Sequence, residues 1–253
     1  MKHSHPSRIG RSPKSSYYPE EFLLYRYRGP HPAPIATTVQ TETVFMTHLS
    51  PSPAASRPSA ARSLRHGLRE ETREAHEALD TVMSQYRLDD ASNYAAFLRI
   101  HEAVLPAIER ALEAEGIAAD LPDWPMRQRR DALAADLAEL PGSPPCLMAS
   151  PPDLPDLSSR AARFGATYVL EGSRMGAKLL VRSVPEGDRR FPTRFLRHGE
   201  SEKLWPSFVA ALDDADKNGI SHDVAIHAAR HIFAVYEQAA RVSGVEGSAG
   251  TDV

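Results

Sequence analysis

The apolar residues of this chain fall into helix-length stripes, and they begin only after a polar first quarter. Leu64, Leu68, Ala75 and Leu79 lie close to one stripe of a 3.6-residue helix, with Arg65, Arg69, Glu70, Glu74 and Glu77 on the remaining faces. Ser63 is placed to cap this first helix. A second stripe runs through Tyr94, Phe97, Leu98, His101, Leu105, Ile108 and Leu112, with Ser92 as its expected cap. Pro106 predicts a kink inside it, and Gly116 marks its stop. A third helix is expected from about Met126 to Leu140, with Leu133, Leu137 and Leu140 on one side. A longer one follows, over roughly Leu157 to Arg182. Ser201 is the expected cap of a helix carrying Leu204, Trp205, Phe208, Val209 and Leu212, which Asn218-Gly219 breaks. Ser221 caps a last helix with Val224, Ile226, Phe233 and Tyr236. No stretch alternates with period two between strand-like bounds. The pattern predicts an all-α, single-domain bundle of six to eight helices.

The segments between and around these stripes are rich in proline. Residues 1–60 carry Pro6, Pro13, Pro19, Pro30, Pro32, Pro34, Pro51, Pro53 and Pro58 among many serines and arginines. Such a segment buries too little apolar surface to offset the entropy of ordering its backbone. It is expected to be a disordered extension, with a folded domain over 61–242 and a flexible, Gly/Ser-rich tail over 243–253. Met46 is a second plausible start of translation, tested by whether the natural protein yields peptides from upstream of it. Residues 141–155 hold six prolines and read as a long loop, and Pro185-Glu186-Gly187-Asp188 reads as a turn.

Composition narrows the function classes. A formal charge of -3 and a pI near 6.4 argue against a nucleic-acid partner. Cys146 is the single cysteine, which excludes an intramolecular disulfide framework and a zinc ribbon, and fits a reducing, cytoplasmic setting. No run approaches the roughly 18 apolar residues of a membrane span.

Chemistry concentrates at two places. Gly172 and Gly176 sit near the middle of the long helix, where each costs roughly 1 kcal/mol against alanine. Four residues apart, they share a face. That face is either a close-packing seam between helices or a bare surface over a ligand. His76 falls beside the first apolar stripe, eight residues after Leu68. Taken alone it reads first as a core histidine without a task, with a phosphoacceptor and an axial haem ligand as the other readings. The acidic residues at Glu77 and Asp80 disfavour the phosphoacceptor. His227 and His231 have the i, i+4 spacing of a metal pair, but HAARH lacks a metalloprotease glutamate and reads more simply as a helix surface. No histidine has a glutamate three residues before it, which argues against a di-iron bundle. No nucleophile elbow, P-loop or dinucleotide fingerprint is present.

Two segments together resemble haem oxygenase of the bacterial, biliverdin-producing branch. REETREAHEALD, residues 69–80, is similar to the family's first helix, and YVLEGSRMGAKLL, residues 168–180, to its distal helix. FPTRFL (191–196) and WPSFVAALDD (205–214) also resemble that branch, so the likeness spans about residues 62–240. The pair, in this order and about 95 residues apart, is more specific than either motif alone. Ser173 and Ala177 stand where the mammalian-type helix has an aspartate and a glycine, which withholds its aspartate-centred water network from this chain.

The resemblance implies haem as both substrate and cofactor, opened with O2 to biliverdin, iron and carbon monoxide. It implies His76 as the proximal iron ligand, and Gly172, Ser173 and Gly176 as the catalytic distal turn. Arg69 and Lys178 would meet the propionates, and Phe164, Tyr168 and Phe233 would form apolar walls. Electrons would come from an external reductase or ferredoxin, and a phytochrome is one candidate receiver of biliverdin. No nucleic acid or membrane partner is expected. A non-catalytic haem or tetrapyrrole binder is the alternative on the same fold, and a helical interaction protein the alternative without haem.

Overall fold

The computed structural model describes residues 62–140, 150–185 and 191–249, with side chains described as far as Ser243. The proline-rich extension, Met46, Cys146, residues 186–190 of the expected turn and the last four residues lie outside these. Among the described residues there are eight α-helices and no strand, as the apolar stripes predict.

Helix α1 (Leu64–Met83) starts where expected: the Ser63 side chain accepts the His66 N–H at 3.3 Å. Its first N–H also has a distant partner, since Leu64 N donates to Asp216 Oδ2 at 2.8 Å. Helix α2 (Ala91–Ala114) is capped by Asp90 and not by Ser92. The Asp90 carboxylate accepts the Asn93 N–H at 2.9 Å, and its charge also complements the helix dipole. The helix spans Pro106, and Gly116 follows its end at φ +79°.

The third expected helix begins later than its apolar spacing suggests. A short α3 (Ile117–Asp120) and a 3-10 turn (Trp124–Met126) come first, and α4 covers Arg130–Glu139. Its start is set from outside. The buried carboxylate of Glu109, on α2, accepts the Arg129 N–H at 2.7 Å and the Arg130 N–H at 3.3 Å. A cap supplied by another helix has no local sequence signature.

Helix α5 (Arg160–Leu180) carries the glycines, capped by Ser159, and ends in a 3-10 turn (Val181–Ser183). Part of the FPTRFL segment forms the short α6 (Arg194–Arg197). Helix α7 (Leu204–Lys217) starts three residues after Ser201, which does not cap it. Started at Glu202, it would need an N–H from Pro206, which proline lacks; started at Leu204, Pro206 falls in the first turn, where no donor is required. Helix α8 (His222–Ala249) follows Ser221, whose Oγ accepts the Val224 N–H at 3.4 Å, and runs past residue 242.

The long α8 is the axis of the fold, packed against both α1 and α5. Its inner side is built from small residues, with Ala225, Ala228, Ala229, Ala239 and Ala240 all buried. Small side chains let helix backbones approach closely. At Gly165 the approach is closest: a Cβ there would lie 2.0 Å from the Ala225 carbonyl oxygen.

Candidate functional site

His76 is partly buried on α1, and its ring lies 5.5 Å from that of Phe233 on α8, tilted by 50°. Its Nε2 is 3.7 Å from Asp80 Oδ1. Burial pushes the imidazole pKa down, and Glu77 only partly opposes this. His76 is therefore neutral near pH 7, with a ring nitrogen able to bind a metal.

One α8 turn beyond Phe233 stands Tyr236, and around it lies a cluster that the sequence did not single out. The Tyr236 ring is 5.4 Å from that of His101, on α2. His101 also meets Phe97 at 4.8 Å and Phe195 at 4.9 Å. Its Nδ1 is buried without a hydrogen-bond partner. Desolvation, assisted by the charge of Arg129, pulls the His101 pKa down to about 3. His101 is neutral, and its place on an apolar stripe follows from that.

Arg129 completes the cluster. Its guanidinium sits over the Phe195 ring, 5.0 Å from the centroid, and the residue is 2% exposed. Nη2 donates to Ser173 Oγ at 2.8 Å and to the Leu170 carbonyl at 3.2 Å. Ser173 Oγ in turn donates to the Leu170 carbonyl at 2.8 Å. Among the described residues no carboxylate pairs with Arg129. Burial, and then the neighbouring Arg174, lower its pKa to about 10, which leaves it charged at pH 7. A buried cation without a counter-ion costs several kcal/mol unless its surroundings supply negative potential.

On the other side of the same α5 turn, Glu171 pairs with Arg127 and Arg174, all three of them buried. None of these charged residues stands out in the sequence. Arg127, Arg129 and Arg174 are buried by partners distant in sequence, which a local spacing rule does not find.

The expected site residues separate into groups. His76 and Phe233 are together, and Ser173 reaches the same α8 turn through Arg129. Gly172 lies on the face that Gly165 presents seven residues earlier, nearly two helical turns away. Tight packing against α8 is thus the role of Gly165, while Gly172 remains partly accessible and Gly176 is buried. Tyr168 and Phe164 are buried toward α7, with rings 6.2 Å from Trp205 and 6.2 Å from Phe208. Arg69 is exposed on α1 and Lys178 partly exposed on α5; neither makes an ion pair among the described residues. His227 and His231 line an open cleft of about 480 Å³ beside Leu154 and Asp156. His231 Nε2 is 3.0 Å from the Asp153 carbonyl oxygen. Among the described residues no three His, Cys, Asp or Glu side chains are grouped to hold a metal ion.

Residues 62–241 match the protein-family model described as Heme oxygenase. The chain is 32% identical over 184 residues to the heme oxygenase PigA of Pseudomonas aeruginosa, covering 69% of this chain and 92% of that one. It is 32% identical over 148 residues to a heme oxygenase of Xanthomonas campestris pv. campestris, covering 57% of this chain and 87% of that one. Its fold is similar to the NO- and CO-bound heme oxygenase of Neisseria meningitidis, with a TM-score of 0.62 and 25% identity over 73% of this chain and 94% of that one. No helix among the described residues is long and apolar enough to cross a membrane.

Proposed function

This chain belongs to the haem oxygenase family and is a haem-degrading oxidoreductase, and on that premise we propose that it holds haem between His76 of α1 and the Gly172–Gly176 stretch of α5. The main support is the α8 turn from Phe233 to Tyr236. Phe233 touches His76, and Tyr236 adjoins the His101–Arg129 cluster that binds Ser173. Both proposed walls of the site are thus referred to one rigid helix.

The residues fit the group. His76 is kept neutral by burial, the state in which imidazole binds iron. Gly172 and Gly176 have no side chains to obstruct a flat ligand. Arg129, a buried cation that no described carboxylate contacts directly, suits a site where negative charge develops. Bound haem supplies the iron at which O2 reacts and the macrocycle that is opened to biliverdin.

The chain's own residues have separate tasks. Phe233 limits rotation of the His76 ring and keeps that side apolar. The bare face at Gly172 and Gly176 brings α5 backbone dipoles close to the ligand. Arg129 fixes the Ser173 hydroxyl, whose proton points to the Leu170 carbonyl, so this polar group has a set orientation before ligand enters. The charge of Arg129 lowers the energy of nearby anionic species in a site of low dielectric. Arg69 and Lys178 meet the propionates, as charged donors suit carboxylates. Tyr168 and Phe164 support α5 from the α7 side. O2 is the co-substrate, and a separate reductase or ferredoxin supplies electrons, since the sequence carries no flavin or nicotinamide motif. Biliverdin is released to an acceptor such as a phytochrome.

The test is incubation of the purified chain with haem, ascorbate and oxygen. Biliverdin should form from a complex of about one haem per chain. A stable haem complex that never turns green would leave only a haem-binding role.

A further inference from the structure

Glu171 immediately precedes Gly172 and is 1% exposed. Its Oε2 lies 2.9 Å from Arg127 Nη1, and its Oε1 lies 3.2 Å from Arg174 Nη2. A carboxylate so removed from water persists only when paired. Each arginine then reaches outward. Arg127 binds both Asp123 carboxylate oxygens at 2.7 Å, Ser207 Oγ at 2.7 Å and the Leu204 carbonyl at 3.0 Å. Arg174 donates to the Arg127 carbonyl at 2.8 Å and to the His198 carbonyl at 3.0 Å. Through them, one α5 turn is tied to the chain before α4, the end of α6 and the start of α7.

That turn needs such a tie. Two glycines within five residues weaken a helix, because each leaves the backbone more freedom to lose. Residues 170–174 are held from one side by Arg129 and from another by the Glu171 ion pairs. Consecutive helical residues are about 100° apart, so Glu171 grips its own flank and leaves the Gly172 face bare.

We propose that Glu171 is a positioning residue for haem opening: its ion pairs with Arg127 and Arg174 set the height of the Gly172–Ser173 turn over the macrocycle, and with it the rate and the carbon at which the ring opens. The inference rests on the reading that α5 covers the haem. Glu171 need not touch the ligand; it acts through the backbone of the next two residues.

The experiment compares wild type with Glu171→Gln, which keeps the shape and removes the charge. Three quantities are read: haem affinity by absorbance titration, kcat and KM for haem, and the ratio of biliverdin isomers. Affinity and KM should stay close to wild type. The kcat should fall by roughly ten- to a hundredfold, the cost of a small misplacement at a reacting centre, and the isomer ratio should change. Glu171→Asp, which keeps the charge, should recover most of the wild-type isomer ratio. A folded Glu171→Gln protein with wild-type kcat and isomers overturns the inference. So does a joint loss of melting temperature, haem affinity and kcat with the isomer ratio unmoved, the mark of a merely structural residue. If Glu171→Gln does not fold, Arg127→Lys, which keeps the charge but loses the forked geometry, is read on the same isomer ratio. Wild type that binds no haem, or a His76→Ala variant that binds it unchanged, overturns the site itself and the inference with it.

Discussion

Arg129 Nη2 lies 2.8 Å from Ser173 Oγ, inside a cluster where no described carboxylate is in direct ion-pair contact with the guanidinium and Glu171 and Glu109 act on it only from farther away. Elsewhere the same core pairs its charges: Arg127 and Arg174 share Glu171, and Asp136 holds Arg194. The exception, at the start of α4, is hydrogen-bonded to the helix that bears the glycines. Stability alone gives no reason for it, since a buried charge is costly and an apolar side chain of similar size is not. On the proposed reading of the site, its value is the field it would cast on bound haem.

Replacing Arg129 with Met should therefore separate stability from activity. The melting temperature should hold or rise, while biliverdin formation falls by about ten- to a thousandfold, the range for removing one preorganised electrostatic contact. Thermal denaturation and a haem turnover assay on the same protein check this. A less stable variant with full activity would contradict it.

His76→Ala should abolish the histidine-ligated Soret spectrum while the helical content is kept. His76 is partly buried against Phe233, so circular dichroism on the same variant separates loss of the ligand from loss of the fold. Exogenous imidazole should restore part of the spectrum if the ring nitrogen alone was lost. An unchanged Soret band and turnover would refute the ligand assignment.

The glycines of α5 should behave in opposite ways. Gly165→Ala places a Cβ 2.0 Å from the Ala225 carbonyl oxygen, and neither helix backbone can yield cheaply. We expect a loss of about 3 kcal/mol or more in urea denaturation, at or beyond the usual upper end for overpacking. Gly172→Leu should cost little or no stability, since helix propensity favours leucine over glycine, but block haem turnover. Equal stability losses at both positions would make Gly172 a packing glycine too.

The pH dependence follows from two imidazoles that are partly removed from water. His101 has its pKa lowered to about 3, chiefly by desolvation and then by Arg129. His198 has its pKa lowered to about 4, by desolvation and then by Arg174 and Arg129. In the unfolded chain both sit near the ordinary value of about 6.5. Below that pH the unfolded state binds more protons than the native state, so stability rises with pH. Each contribution is complete above about pH 6.5 and declines as pH falls toward the native pKa. Replacing His101 with Phe should flatten this acid limb in pH-dependent denaturation, relative to wild type. An identical slope would show that His101 does not stay neutral in the fold.

The sequence by itself determined the helices and most of their breaks, because apolar periodicity and capping residues act within a few residues of each other. Ser63, Ser221, Gly116 and Asn218-Gly219 are punctuation of that local kind. The likeness to haem oxygenase around His76 and around Gly172, Ser173 and Gly176 is likewise carried by short local segments. Tertiary structure decided what had no local partner. The start of α4 depends on Glu109 of α2, and α7 starts at Leu204, past the Ser201 cap signal, where Pro206 falls in its first turn. Gly165 looks like any helix glycine until Ala225 is brought against it. Arg127, Arg129 and Arg174 read as solvated charges, since long basic side chains are mostly exposed. Their burial, and the absence of a described counter-ion at Arg129, follow from contacts between residues 40 or more positions apart. Such contacts are chosen by packing geometry, and a single sequence leaves no periodic trace of them.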